Sequence, residues 1–256
     1  MASHVMLHTV IPSASLGSLA SNPPTIDIFP DNYSVLLSGP PGVGKFEYFL
    51  GLVKQALETG RRVVFVTLDI HPSEIRTRAK DIALDISNFE GHTFLFVDCY
   101  SAMSSDKPDQ DPKNRVYQVS SFSNLEGIGM AIAKASNELK TPVMLFFYSA
   151  STLFLHNSQQ AIAKFMQIVT SRVKTHLGFI AYAVHDGVHD PMTMNLLKSL
   201  VDGVIEARFT EGLAREIRIH HLRGVRSDTT WATLGHSTET NVANIAGSVI
   251  PRRLGP

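Results

Sequence analysis

Short apolar runs alternate with amphipathic stretches along most of this chain. Ser34 to Ser38 (SVLLS), Arg62 to Leu68 (RVVFVTL), Thr93 to Val97, Val143 to Phe147 and Phe179 to Val184 are unbroken apolar segments of strand length. Such runs suit strands covered on both faces, as in a parallel sheet. Between them the spacing turns helical. Lys45 to Glu58 carries Phe46, Phe49, Leu50, Val53 and Leu57 on one stripe, and Gly60 is placed to stop it. A second helix is expected from His71-Pro72-Ser73-Glu74 to about Leu84, with Pro72 in its first turn. Further helices are expected over Leu125 to Leu139, Gln159 to Thr175 and Met192 to Leu200. The alternation predicts an α/β fold, with a central, mostly parallel sheet and helices on both faces.

After Gly203 the rhythm changes. VIEARF, AREIRIHHLR and TTWATL read as antiparallel strands at the sheet edge. Ala102 to Asn124 is polar and rich in Asp, Ser and Pro, and reads as a partner-facing loop. Residues 1–27 are expected to be a mobile lead-in, 28–240 the folded domain, and 241–256 a tail. The start lacks the cationic segment of a signal peptide.

Composition narrows the function classes. In 256 residues, 23 Lys and Arg balance 23 Asp and Glu. No global basic field recruits nucleic acid, which argues against a nucleic-acid partner without excluding a local patch. No run of about 18 apolar residues exists, so no membrane span is expected. The single cysteine, Cys99, rules out an internal disulfide and suits a reducing, cytoplasmic setting.

The chemistry concentrates in Gly39 to Phe46, GPPGVGKF. In a phosphate-binding loop, G-x-x-x-x-G-K-[ST], backbone N–H groups turn onto phosphate oxygens, the lysine reaches the outer phosphates and the last hydroxyl binds Mg²⁺. Gly39, Pro40, Pro41, Gly42, Val43, Gly44 and Lys45 supply the cradle, and Phe46 replaces the hydroxyl. A strand before and a helix after aim a helix N-terminus at the anion. A ligand-free strand-to-helix turn is the plainer reading, and Lys45 counts against it.

In this arrangement the chain resembles the KaiC/RadA branch of the RecA-like P-loop ATPases, over roughly Val35 to Leu234. GPPGVGKF is similar to that family's GxPGxGK[ST]. FVTLDIHPSEIRTRA, HDPMTMNLLKSLVDGVIEARF and HHLRGVRSD resemble its later segments in order and spacing. The glycine-rich stretch that normally precedes the first strand is replaced by SNPPTIDIFPDNY. The resemblance implies a RecA-like P-loop fold, ATP or ADP as ligand, and a homo-oligomer, a related ATPase or a signalling protein as partner.

The departures fall on the metal and on catalysis. The resemblance aligns Tyr148-Ser149 with the family's Asp-Ser at a strand end, and a neutral phenol cannot replace a carboxylate that holds Mg²⁺. With Phe46 and Tyr148 at both positions the protein offers no metal ligand, and Mg²⁺ would rest on phosphates and water alone. Asp69-Ile70 aligns with a water-activating Glu pair, so Asp69 is a candidate base or simply a capping acid. Glu47 reads as a displaced metal ligand or as a first-turn acid favoured by the helix dipole. Arg223 matches an arginine that reaches a neighbour's nucleotide, with His221 in place of a lysine and Arg226 as a second candidate. It reads equally as an exposed edge cation.

His185-Asp186 and His189-Asp190 could suggest a metal site, but Gly187 breaks the helix that would align them, and loop histidines fit better. His220 and His221 alternate faces on a strand. Cys99 reads as a small core residue. Asp98 and Tyr100 lie at the carboxyl end of a strand, where such sheets bind ligands. The eroded catalytic positions favour a regulatory or assembly protein that holds nucleotide and hydrolyses it weakly or not at all. The alternatives are an ATPase with a remodelled metal site, a DNA-recombination accessory protein, and a remnant that binds no nucleotide.

Overall fold

The computed structural model describes residues 22–103 and 116–235. Its strands are β1 (Tyr33–Gly39), β2 (Val63–Thr67), β3 (Phe94–Asp98), β4 (Val116–Gln118), β5 (Val143–Tyr148), β6 (Gly178–His185), β7 (Gly203–Phe209), β8 (Arg215–Leu222) and β9 (Ala232–Thr233). Its α-helices are α1 (Lys45–Glu58), α2 (Pro72–Lys80), α3 (Leu125–Leu139), α4 (Gln159–Arg172) and α5 (Pro191–Ser199). The strands form one sheet in the order β4-β3-β2-β5-β6-β1-β7-β8-β9. β8 runs antiparallel to β7 and β9 antiparallel to β8, while the other pairings are parallel. The expected α/β architecture with an antiparallel C-terminal edge is therefore present.

The two faces of the sheet follow from the period-two alternation of each strand. In β5, Met144, Phe146 and Tyr148 join the core beneath α1 and α2, whereas Val143, Leu145 and Phe147 join the core beneath α3 and α4. β2 splits the same way, with Phe65 under α1 and Val64 and Val66 on the other face. Both faces of β1, β2, β3 and β5 are buried, so these strands show no exposed polar stripe. This is why these strands read as continuous apolar runs.

Several boundaries differ from the sequence expectation. α2 stops at Lys80 instead of Leu84. Ala83 turns left-handed at φ 55°, and the Leu84 N–H returns to the Ala79 carbonyl at 3.0 Å. This closure turns Leu84 into the core. α4 ends at Arg172 and continues through a wider turn over Val173–Leu177 into β6. Of TTWATL, only Ala232–Thr233 pairs as a strand.

The stretch from Ala102 to Asn124 is not all loop. Val116–Gln118 forms β4 beside β3, with Val116 opposite Phe96, because a half-buried Val-Tyr pair can extend the sheet. Residues 104–115 of that expected loop, like 1–21 and 236–256, lie outside the described residues. Residues 22–27, expected to belong to the lead-in, dock on α1. The Tyr48 hydroxyl donates to the Pro24 carbonyl at 2.8 Å, the Ile26 N–H donates to Gln55, and Ile26 is fully buried. No helix among the described residues is long and apolar enough to cross a membrane.

Candidate functional site

Parallel register brings the carboxyl ends of β1, β6, β5 and β2 to one edge, where open α/β sheets place their ligands. Gly39 lies opposite His185, and Thr67 lies opposite Tyr148. The loop from Gly39 to Lys45 leaves this edge and enters α1. Gly42 and Gly44 adopt φ of 78° and 99°, a left-handed turn that a side chain would strain. These turns curve the backbone around the N-terminus of α1, an anion-favouring geometry.

Lys45 is buried and folds back on its own loop, where its ammonium donates to the Gly39 carbonyl and, at 2.7 Å, to the Pro40 carbonyl. Burial pushes its pKa down to about 8, and the charges of Asp186 and Asp69 oppose that fall. An ammonium held this way at the mouth of a helix is placed to meet phosphate oxygens.

Asp69 follows β2 and is enclosed by hydrogen bonds. One carboxylate oxygen accepts from the Ser149 hydroxyl at 2.6 Å and faces His185 Nε2 at 3.3 Å, while the other accepts from the Thr152 hydroxyl. Burial acts to raise its pKa, but the bonds from His185, Ser149 and Thr152 outweigh burial and hold it below the usual carboxylate value. A carboxylate stabilised in this way is a poorer proton acceptor. His185 Nδ1 is buried and makes no hydrogen bond. Ser151 links the histidines, accepting from the His185 backbone N–H at 2.9 Å and meeting His189 Nε2 at 2.8 Å. The histidines thus form a hydrogen-bonded network. Among the described residues no group of three or more His, Cys, Asp or Glu side chains is placed to hold a metal ion.

Phe46 and Tyr148 touch. Their rings lie 5.3 Å apart in an edge-to-face arrangement, and Phe49 and His185 pack edge-on against Tyr148. Phe46 is 3% exposed and Tyr148 8%. Burial raises the phenol pKa further, with Asp69 and Glu47 adding to it, so Tyr148 stays neutral. Mg²⁺ prefers octahedral oxygen ligands, and here the two positions expected to supply them form an apolar contact. These residues do not fit a Mg²⁺ site. Arg78, from α2, lies over the Phe46 ring at 5.3 Å and pairs with Glu74 at 2.7 Å and Glu47 at 4.0 Å. Glu47 therefore faces Arg78 and stands outside the aromatic contact.

Arg223 sits at the opposite end of the sheet. Its guanidinium meets Asp202 at 3.2 Å, and Asp202 also receives Lys174 at 2.8 Å and the Ser34 hydroxyl at 2.7 Å. Ser34 lies near the start of β1 and Gly39 ends it, so about 17 Å of strand separates Arg223 from the loop after Gly39. Arg226, His220 and His221 likewise belong to the β8 edge; His220 faces Glu206 at 3.5 Å. Cys99 is buried in the core, and Asp98 caps the following turn by accepting from the Ser101 N–H.

The sequence reading did not single out Ser151, Thr152, Arg78 or Arg215. Arg215, at the start of β8, lies beside the loop, and a methyl placed on Gly44 would come within 3.5 Å of its Nη1. Nothing in the local sequence marks these residues, because they reach the site from the turn after β5, from α2 and from β8.

Residues 33–207 match the profile of a family described as a family of unknown function, DUF7504. Curated relatives of a second group, UPF0273, match over shorter stretches. One from Methanopyrus kandleri is 34% identical over 27% of this chain and 27% of its own length. Another from Saccharolobus solfataricus is 25% identical over 60% and 53%. The chain thus spans about half or less of the curated relatives it matches. A solved structure of a KaiC-like protein from Pyrococcus horikoshii superposes with a TM-score of 0.64 at 20% identity, covering 80% of this chain and 86% of that one. This likeness shows a shared fold.

Proposed function

The chain belongs to DUF7504, a family of unknown function, so an activity must be argued from its own residues, and we propose that it binds ATP or ADP without turning it over efficiently. Nucleotide occupancy would then act as a regulatory or assembly signal in a cytoplasmic homo-oligomer or with a partner protein. One observation carries this reading. The phosphate cradle and Lys45 are intact, while the two positions for metal ligands hold Phe46 against Tyr148.

Phosphoryl transfer depends on positioning and on charge stabilisation, much of it supplied by the metal. Without placed metal ligands the bound phosphates gain affinity from the loop but little help in the transition state. Asp69 does not restore the lost function. Both its oxygens already accept hydrogen bonds, and its depressed pKa weakens it as a base. The active-ATPase alternative is therefore the weaker one. Binding can bias a conformational equilibrium only through different affinities for the two states.

Calorimetric titration of ATP and ADP into wild type and Lys45→Ala tests the proposal. Binding is expected in wild type and is expected to weaken by at least about tenfold in the variant, the scale of one charge-assisted contact. Steady-state hydrolysis at the rate of an intact P-loop ATPase, abolished by Lys45→Ala, would defeat the reading.

A further inference from the structure

The aromatic contact at the metal position leaves a charge problem. A P-loop site with Mg²⁺ sets one lysine and one divalent ion against the phosphates. This chain keeps the lysine and builds an apolar pair where ion ligands belong. Two arginines from separate elements lie next to that pair. Arg78, in α2, has its guanidinium over Phe46 at 5.3 Å. Arg215, opening β8, reaches Gly44. Both line one groove together with Gly44, Phe46 and Glu47.

We propose that Arg78 and Arg215 together take the place of the divalent ion, so that the loop binds nucleoside di- or triphosphate independently of Mg²⁺. The proposal rests on the nucleotide-binding reading above and extends it. Two guanidinium groups carry the same charge as one Mg²⁺ ion. They remain charged at any physiological pH and match phosphate oxygens in bidentate geometry.

The present partners of these arginines permit the exchange. Arg78 is 45% exposed and pairs with Glu74 and Glu47, which are 50% and 46% exposed. Exposed ion pairs of this kind are weak and readily replaced by a better acceptor. Arg215 makes no side-chain hydrogen bond or ion pair among the described residues, although it is only partly exposed. An arginine held without an acidic partner beside an anion-binding loop is placed to receive an anion.

The test is calorimetric titration of ATP and ADP in EDTA and in excess Mg²⁺, on the full chain. Wild type should bind with affinities within about threefold of each other in the two media. R78A and R215A should each lose about tenfold or more in EDTA, the scale of one charge-assisted phosphate contact. R78K and R215K should keep most of the affinity. Melting curves establish that each variant is folded. Wild-type binding that appears only with Mg²⁺, or an EDTA affinity unchanged in both alanine variants, overturns the arginine proposal while leaving nucleotide binding intact. Absence of binding in both media, or binding indifferent to Lys45→Ala, overturns the nucleotide reading and this proposal with it.

Discussion

At the residue scale, Lys45 is the group whose behaviour follows most directly from its surroundings. Its pKa of about 8 lies below the roughly 10.4 of an unfolded lysine. Between these values the unfolded chain holds the proton more firmly, so this group alone favours folding more as pH rises. Phosphate binding responds in the opposite sense, because deprotonation removes the cation the ligand needs. Nucleotide affinity is therefore expected to be level from pH 7 to 8 and to fall by up to about tenfold per unit above pH 8. Titrations at pH 7.5, 8.5 and 9.5 read this directly. A profile that stays flat across the three, or one that persists in Lys45→Met, would remove Lys45 from the phosphate contact. The residue was legible in the sequence because the loop motif is local. Its engagement with the Gly39 and Pro40 carbonyls was not, since side-chain direction depends on the folded turn.

At the scale of elements, the meeting of α1 with β5 decides the metal question. Tyr148 faces α1 because it shares strand parity with Phe146 and Met144. Phe46 faces β5 because it stands on the buried stripe of α1 with Phe49 and Val53. Each substitution was visible separately in the sequence, 102 positions apart, yet their contact was not. Phe46→Thr should cost about 2–4 kcal/mol through lost burial and a residual cavity. Thermal denaturation should register a drop of very roughly 5–12 °C for a domain of this size. Adding Tyr148→Asp supplies two oxygen ligands in one place. The double variant is expected to gain a melting temperature that rises with Mg²⁺ and nucleotide together, as a ligand that binds only the folded state requires. A double variant indifferent to Mg²⁺ would mean that the defect lies elsewhere in the site. The polar network around Asp69 belongs to this scale too. Ser149, Thr152 and His185 come from the ends of two further strands, and only the parallel register assembles them.

At the scale of the whole molecule, the sheet places its candidate charges at opposite ends. Lys45 and Asp69 occupy the carboxyl edge, while Arg223 pairs with Asp202 at the amino edge. Arg223 is thus kept from its own loop by the length of β1, and any phosphate it meets would belong to another subunit. Arg223→Ala should change folding stability by less than about 1 kcal/mol, because its side chain is 65% exposed and Asp202 keeps Lys174 and Ser34. If the arginine is donated between subunits, light scattering should show weaker nucleotide-dependent assembly in the variant. Assembly identical to wild type in the presence of ATP would confine Arg223 to its internal ion pair.

The sequence by itself determined the order of most strands and helices, the glycine-rich loop with its lysine, and the aromatic residues at the two positions where the resemblance expects metal ligands. Those features are encoded in short-range spacing: apolar runs for strands covered on both faces, helical periodicity, and glycines where the backbone must turn left-handed. It did not determine the strand order within the sheet, the added strand β4, the early stop of α2 or the arginines around the loop. Each of those depends on contacts between segments far apart in the chain, which no local pattern records. The tertiary structure alone brought Phe46 against Tyr148, enclosed Asp69, and set Arg78 and Arg215 beside the loop. Packing turned two isolated aromatic residues into one apolar contact, and on the proposed reading that contact separates holding a nucleotide from cleaving it.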